Sequence, residues 1–113
     1  MIEKIVLDHL NRPGWGSAFM EIPKTRPAAP FWVIQKTAGG QLEGCVGTAT
    51  LAIQSYGATL YEAAAANETL KTRMAALIGL PEIASVRLNS DYNYTDTASK
   101  QYRYQAVFDI IHY

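Results

Sequence analysis

The chain contains one cysteine, Cys45, so no disulfide can form within it. Cys45 falls on the apolar side of a strand pattern with no activating base in sequence reach, which makes it a small core hydrophobe rather than a nucleophile. Histidine is nearly as scarce. His9 and His112 stand at opposite ends of the chain, and neither has a cysteine or carboxylate at ligand spacing, so no metal site is expected. An excess of charge of either sign is missing as well: ten basic and ten acidic side chains cancel. The electropositive footprint that a phosphate backbone demands is therefore lacking, and sequence-specific nucleic-acid binding is not expected. No apolar run approaches the roughly 20 residues needed to cross a bilayer. The start Met1-Ile2-Glu3-Lys4 has no basic region, apolar stretch and cleavage site of the signal-peptide kind. Synthesis in a reducing cytoplasm, without a membrane partner, is the expectation.

Catalytic motifs are equally thin. Ser17, Ser55, Ser85, Ser90 and Ser99 all stand outside a G-x-S-x-G elbow. Gly14 and Gly16 make only a fragment of a glycine-rich loop, without the further glycine, the lysine or the preceding strand of a nucleotide site. Asp91 and Asp96 flank one loop and could converge as an acid/base pair, although solvating and shaping the turn is the simpler role. No catalytic, cofactor-binding or metal residue is assigned, and the chain is not expected to be an enzyme.

What is present is the pattern of one small folded domain. The 113 residues are enough to bury a single core, and 49% hydrophobic with 18% charged side chains is a folding composition. Ile2, Ile5, Val6, His9 and Leu10 recur at helical spacing, and Asn11, Pro13, Gly14 and Gly16 stop them, so residues 2–11 read as a short amphipathic helix with His9 at the sheet rim. Residues 17–22 make a short strand with Ala18, Met20 and Ile22 on one side. Pro23, Pro27 and Pro30 then hold an extended arm.

Phe31 to Thr37 reads as a strand, and Gly39-Gly40 as the tight hairpin turn after it. From Gly44 to Ser55 a long strand puts Cys45, Ala49, Leu51 and Ile53 on one face and Val46, Thr48, Thr50 and Gln54 on the other. Thr59 and Glu62 form a capping box, with Glu62 reaching back to the Thr59 amide, and start a helix at Leu60. Its stripe is Leu60, Ala63, Asn67, Leu70, Met74 and Leu77, with four consecutive alanines for close packing on a sheet and Gly79 as C-terminal cap. Residues 83–94 form a strand with Ala84, Val86 and Leu88 on one face. The last strand sets Tyr102, Tyr104, Ala106, Phe108 and Ile110 against Arg103, Gln105, Val107 and Asp109. The order α-β-β-β-α-β-β predicts an α+β domain over 1–113, a mainly antiparallel sheet of about five strands packed against two helices.

Two features stand out. Asn67 interrupts an apolar stripe, as a buried amide bonded to a neighbouring strand or as the rim of a contact; the first is preferred, because buried amides find partners. Tyr92, Tyr94, Tyr102 and Tyr104 cluster around the last loop, with Trp15 and Trp32 elsewhere. Such aromatics serve cross-strand packing and protein interfaces alike.

Taken together, the N-terminal helix, the Pro23 and Arg26-Pro27 lead-in, the strand ending Thr37-Ala38-Gly39-Gly40, the alanine-rich helix and the closing strand opened by Arg103-Tyr104 are distinctive in order and spacing. In these the chain resembles the phage tail terminator and head-tail joining proteins, along nearly its whole length. It departs from many relatives in having Lys100-Gln101-Tyr102, without a proline, ahead of Arg103-Tyr104. The resemblance implies a structural virion protein, made in the host bacterial cytoplasm and placed at the head-proximal end of a phage or prophage tail. There it would close into a homomeric ring, usually a hexamer, stop tail-tube polymerisation and present a surface for head-tail joining. Its implied partners are itself, the tail-tube protein and head connector proteins, with no cofactor. A connector-side head completion protein and a small ligand-binding or enzymatic α+β module are the alternatives. Candidate interface residues are Arg26, Trp32, Tyr92, Tyr94 and Arg103. Of these, Arg26 has a fork suited to carbonyls or carboxylates across an interface.

Overall fold

The computed structural model describes residues 1–44 and 46–113, so the expectation for Cys45 lies outside the described residues. The elements are α1 (Ile2–Leu10), β1 (Ala18–Phe19), β2 (Phe31–Gln41), β3 (Gly47–Gly57), α2 (Leu60–Ala75), β4 (Ile83–Asn93) and β5 (Tyr102–His112). This is the expected α+β order. The five strands form one sheet in the order β1-β2-β3-β5-β4, antiparallel throughout except for the two-residue pairing of β1 with β2.

Alternation places Ile34, Leu51, Ile53, Ala106, Phe108 and Ile110 in one core with Val6 and Leu10 of α1 and Leu70 and Met74 of α2. The opposite face of the sheet carries Val33, Gln54 and Gln105 in register, along with a separate small cluster of Phe31, Val33 and Tyr56. Asn11 fixes the end of α1 to the first strand. Its side chain accepts from the Ala18 N–H (2.8 Å) and donates to the Ala18 carbonyl (3.0 Å), substituting for a strand partner.

The hairpin expectation at Gly39-Gly40 is corrected. Both glycines continue β2, paired with Ala49 and Thr48, and the turn comes later, where Gly44 takes φ +78°. Without side chains, the two glycines leave room for neighbours: a Cβ on Gly39 would sit 2.7 Å from Lys36 Cε, and one on Gly40 2.9 Å from Thr48 Oγ1. β3 accordingly begins at Gly47 rather than Gly44. The first strand is also shorter than expected, and Met20 and Ile22 are exposed. A parallel neighbour needs a return path, and residues 20–30 leave the sheet to bring Arg26 back over Phe31.

Helix α2 starts at Leu60 as expected, and Glu62 N–H donates to Thr59 Oγ1 (3.1 Å). The reciprocal bond falls one residue earlier than expected, from Ala58 N–H to Glu62 Oε1 (3.0 Å). Leu60, at the first helical position, is exposed, while Ala63, Ala66, Asn67, Leu70 and Met74 are buried. Gly79 does not cap α2: the helix tightens into a 3-10 turn over Ala76–Gly79, closed by Leu80 N–H to Leu77 O (3.0 Å). In β4, register shifts skip Ala84 and Asn89, so Ile83 takes the buried position expected of Ala84, while Val86 and Leu88 keep the helix-side face. Thr59→Ala is expected to lower stability by about 1 kcal/mol, because the Glu62 amide loses its side-chain acceptor. A urea titration with an unchanged midpoint would show that water serves that amide equally well.

Candidate assembly surface

Of the five side chains picked from the sequence, four gather at one end of the sheet, on the face away from the helices. The base is aromatic: Phe31 and Tyr56 stack at 4.8 Å with planes 4° apart, and Phe19 meets Phe31 edge-on at 6.1 Å. Arg26 lies 5.5 Å from the centroids of both stacked rings. Arg103 comes in from β5, 5.8 Å from Tyr56 and 4.7 Å from Tyr94. Its position is fixed by two bonds, Nε–H to the Tyr94 carbonyl (2.8 Å) and an Nη1–H to the Tyr56 hydroxyl (3.1 Å). Tyr92 packs edge-on to Tyr94 at 6.0 Å, and its hydroxyl accepts from Gln105, whose carbonyl in turn accepts from Gln54. Tyr92 and Tyr94 remain 42% and 44% exposed.

Trp32 is a correction. It is 4% exposed, on the helix side of β2 and part of the main core, so it packs the chain's interior instead of facing a partner. Neighbouring residues on β2 point to opposite faces, which separates Trp32 from Phe31. Phe31 and Tyr56, which organise the patch, were not singled out from the sequence. The signal was available in part, since Tyr56 continues the Thr50–Gln54 face by alternation. The pairing of β3 with β5 that brings Arg103 beside Tyr56 has no local signal.

The remaining chemistry-bearing residues disperse. Asp91 and Asp96 do not converge. Asp91 Oδ2 accepts from Asn67 Nδ2 (2.9 Å) and Lys71 Nζ (3.0 Å), so Asn67 is the buried amide bonded to a strand that its position in the stripe predicted. Asp96 accepts from the Ala98 amide of its own turn (3.1 Å), and these turn bonds, above all to Ser99, hold its carboxyl below the usual range. Ser55 is fully buried. Among the described residues no three His, Cys, Asp or Glu side chains come together as a metal cage.

His9 is deeper than a rim residue. It is buried, its Nε2 lies 2.7 Å from the Arg73 carbonyl, and Trp15 packs on it edge-on at 5.1 Å. Arg12 and Arg73 each lie 4.9 Å from the Trp15 ring, and Arg73 also lies 5.4 Å from Trp32. Asp8, Arg12 and Glu82 line the same open cleft as His9. Burial lowers the His9 pKa below the ordinary 6.5, and Arg12 adds to this. The neutral imidazole donates its Nε2–H to the carbonyl. The unfolded chain then binds the proton more readily, so stability is complete above pH 6.5 and falls as pH drops from there toward the lowered native value. Unfolding midpoints measured from pH 7.5 to 5 should show this slope, and His9→Gln should flatten it. An unchanged slope in the variant would assign it elsewhere.

No protein-family model matches the chain, and no curated protein matches it.

Proposed function

We propose that the protein is a structural ring subunit of the tail terminator type, which caps a phage tail tube at its head-proximal end and offers a surface for head-tail joining. The observation that carries this is the polarity of the sheet. From β2 through β3 and β5 to β4 the strands alternate in direction, so the two long outer strands run oppositely. Among the described residues β1 covers only Trp32 and Val33, leaving the edge of β2 from Ile34 onward unpaired, and β4 forms the other edge. A second copy rotated about an axis along the strands can set its β2 beside β4 and continue the alternation. Where the rotation between copies closes, repeating that head-to-tail contact makes a ring that leaves no strand edge open to aggregation. Register shifts at Lys36/Ala38 and Leu88/Ser90 limit each free edge to short runs, so contacts beyond the edges are needed. The proline arm is available for them. Its Arg26, however, rests on the rings of its own chain, which makes the arm a preformed ledge rather than a free hook.

The test is assembly. Mixed with polymerising tail-tube subunits, the protein is expected to give tubes that carry a terminal ring and stop lengthening, as imaged by electron microscopy. Free protein can remain monomeric until the tube raises its local concentration, so solution mass alone does not decide. Tubes of unrestricted length without a ring would defeat the proposal. Binding to a head connector in place of the tube would favour the connector-side alternative.

A further inference from the structure

We propose that the end of the helix-free face built by Arg26, Tyr56, Arg103, Tyr92 and Tyr94 is a docking surface for an acidic segment of another protein, whose carboxylates engage the two guanidinium groups. The contact is distinct from the strand edges and stands whether or not a ring forms.

Unused hydrogen-bonding capacity is the first ground. A guanidinium has five N–H donors. Arg103 spends one on the Tyr94 carbonyl and one on the Tyr56 hydroxyl. Among the described residues its Nη2 and the second Nη1–H have no partner, and Arg26 makes no side-chain hydrogen bond. Neither has an ion-pair partner there, although the chain as a whole is neutral.

Local charge points the same way. The arm and the β4–β5 loop add Lys24 and Lys100 to the two arginines, against the carboxylates of Glu62, which accepts from the Ala58 amide, and of Asp96, which accepts from the Ala98 and Ser99 amides and also feels the charge of Arg103. Glu21, two residues before Pro23, is the acid that precedes the arm. The guanidiniums are also preorganised. Both lie over Tyr56, so their positions are set before a ligand arrives and little side-chain entropy remains to be lost on binding. Beside them the half-exposed Tyr92 and Tyr94 offer apolar ring surface with a polar rim, as protein interfaces use.

The chemistry selects a protein carboxylate over a nucleic acid. Two forks close to one ring suit one or two carboxylates bound bidentately. A phosphate backbone is held by an excess of positive charge, and the ten basic side chains of this chain are balanced by ten acidic ones. If the two arginines merely shield Phe31 and Tyr56 from water, acidic ligands will not find them.

The experiment uses the full chain, isotopically labelled for NMR, titrated with a blocked octapeptide of alternating valine and glutamate. The same peptide with lysine for glutamate and an oligothymidylate serve as comparisons. Expected are saturable shifts of the Arg103 Nε–H and of the Tyr92 and Tyr94 amides with the glutamate peptide alone. Affinity should weaken at least about tenfold in the Arg26→Gln/Arg103→Gln double variant and remain unchanged in Arg12→Gln, which alters the other arginine-aromatic cluster. Should the double variant lose its folded spectrum, Arg103→Lys keeps the charge and stem while removing the fork, and it must still weaken binding. The proposal is overturned by no saturation up to about 1 mM peptide, by equal binding of the lysine peptide, by tighter binding of the oligothymidylate at these residues, or by variants that bind undiminished.

Discussion

Alanine in place of Gly57 is expected to destabilise the protein by about 3 kcal/mol, the upper end for forced overpacking, with a fall in Tm of roughly 10 to 20 °C. Gly57 is the last residue of β3, directly beneath the start of α2. A Cβ there would lie 2.4 Å from the Ala63 backbone nitrogen and 2.9 Å from the Ala63 Cα. Neither neighbour is a side-chain tip that can swing away, so the first turn of α2 has to lift. That turn carries the Thr59–Glu62 box and the buried Ala63, and displacing it loosens both. Gly79→Ala is the internal control. Nothing lies within 4 Å of its Cβ position, and its φ is not in the left-handed region, so the change should be neutral or slightly stabilising through the unfolded chain. Equal melting curves for the two variants would mean that α2 accommodates the methyl without cost, contrary to the close approach.

Leu51→Ala is the second large effect, at about 2 to 5 kcal/mol from lost burial and the residual cavity. Leu51 is fully buried in the middle of β3, level with Phe108 on β5 and within the core that α1 and α2 cover. Its neighbour Thr50 faces the other way and donates to Asp109 Oδ1 (3.0 Å), so Thr50→Ala should cost only about 1 kcal/mol. Denaturant titrations of the pair measure the facing of β3 directly. A silent Leu51→Ala beside a severe Thr50→Ala would invert it.

The places where sequence expectation and structure part share one cause. A tight turn at Gly39-Gly40 was plausible because glycine suits one. The strand runs on because its partner β3 continues to pair, and pairing is a property of two segments. Gly79 is a residue type that suits a helix cap, yet the chain winds into a 3-10 turn that reaches β4 through Leu80, Pro81 and Glu82. Trp32 has interface chemistry, but a single alternation step points it under the helices while Phe31 points outward. Ala84 and Ile83 exchange roles because β4 carries an extra residue there against β5.

By itself the sequence determined the element order, the start of α2, the facing of β3 and β5, the burial of Asn67 and the tyrosines beside the last loop. Each of these follows from contacts within a turn or from a period of 2 or 3.6 along one segment, information that is local in the chain. Only the tertiary structure decided that both helices lie on one face, that β5 inserts between β3 and β4, and that Arg26, Tyr56, Arg103 and Tyr94 meet. Those arrangements join residues far apart along the chain. They are fixed by which apolar faces can be buried together once all the segments exist, and no window of local sequence records that choice.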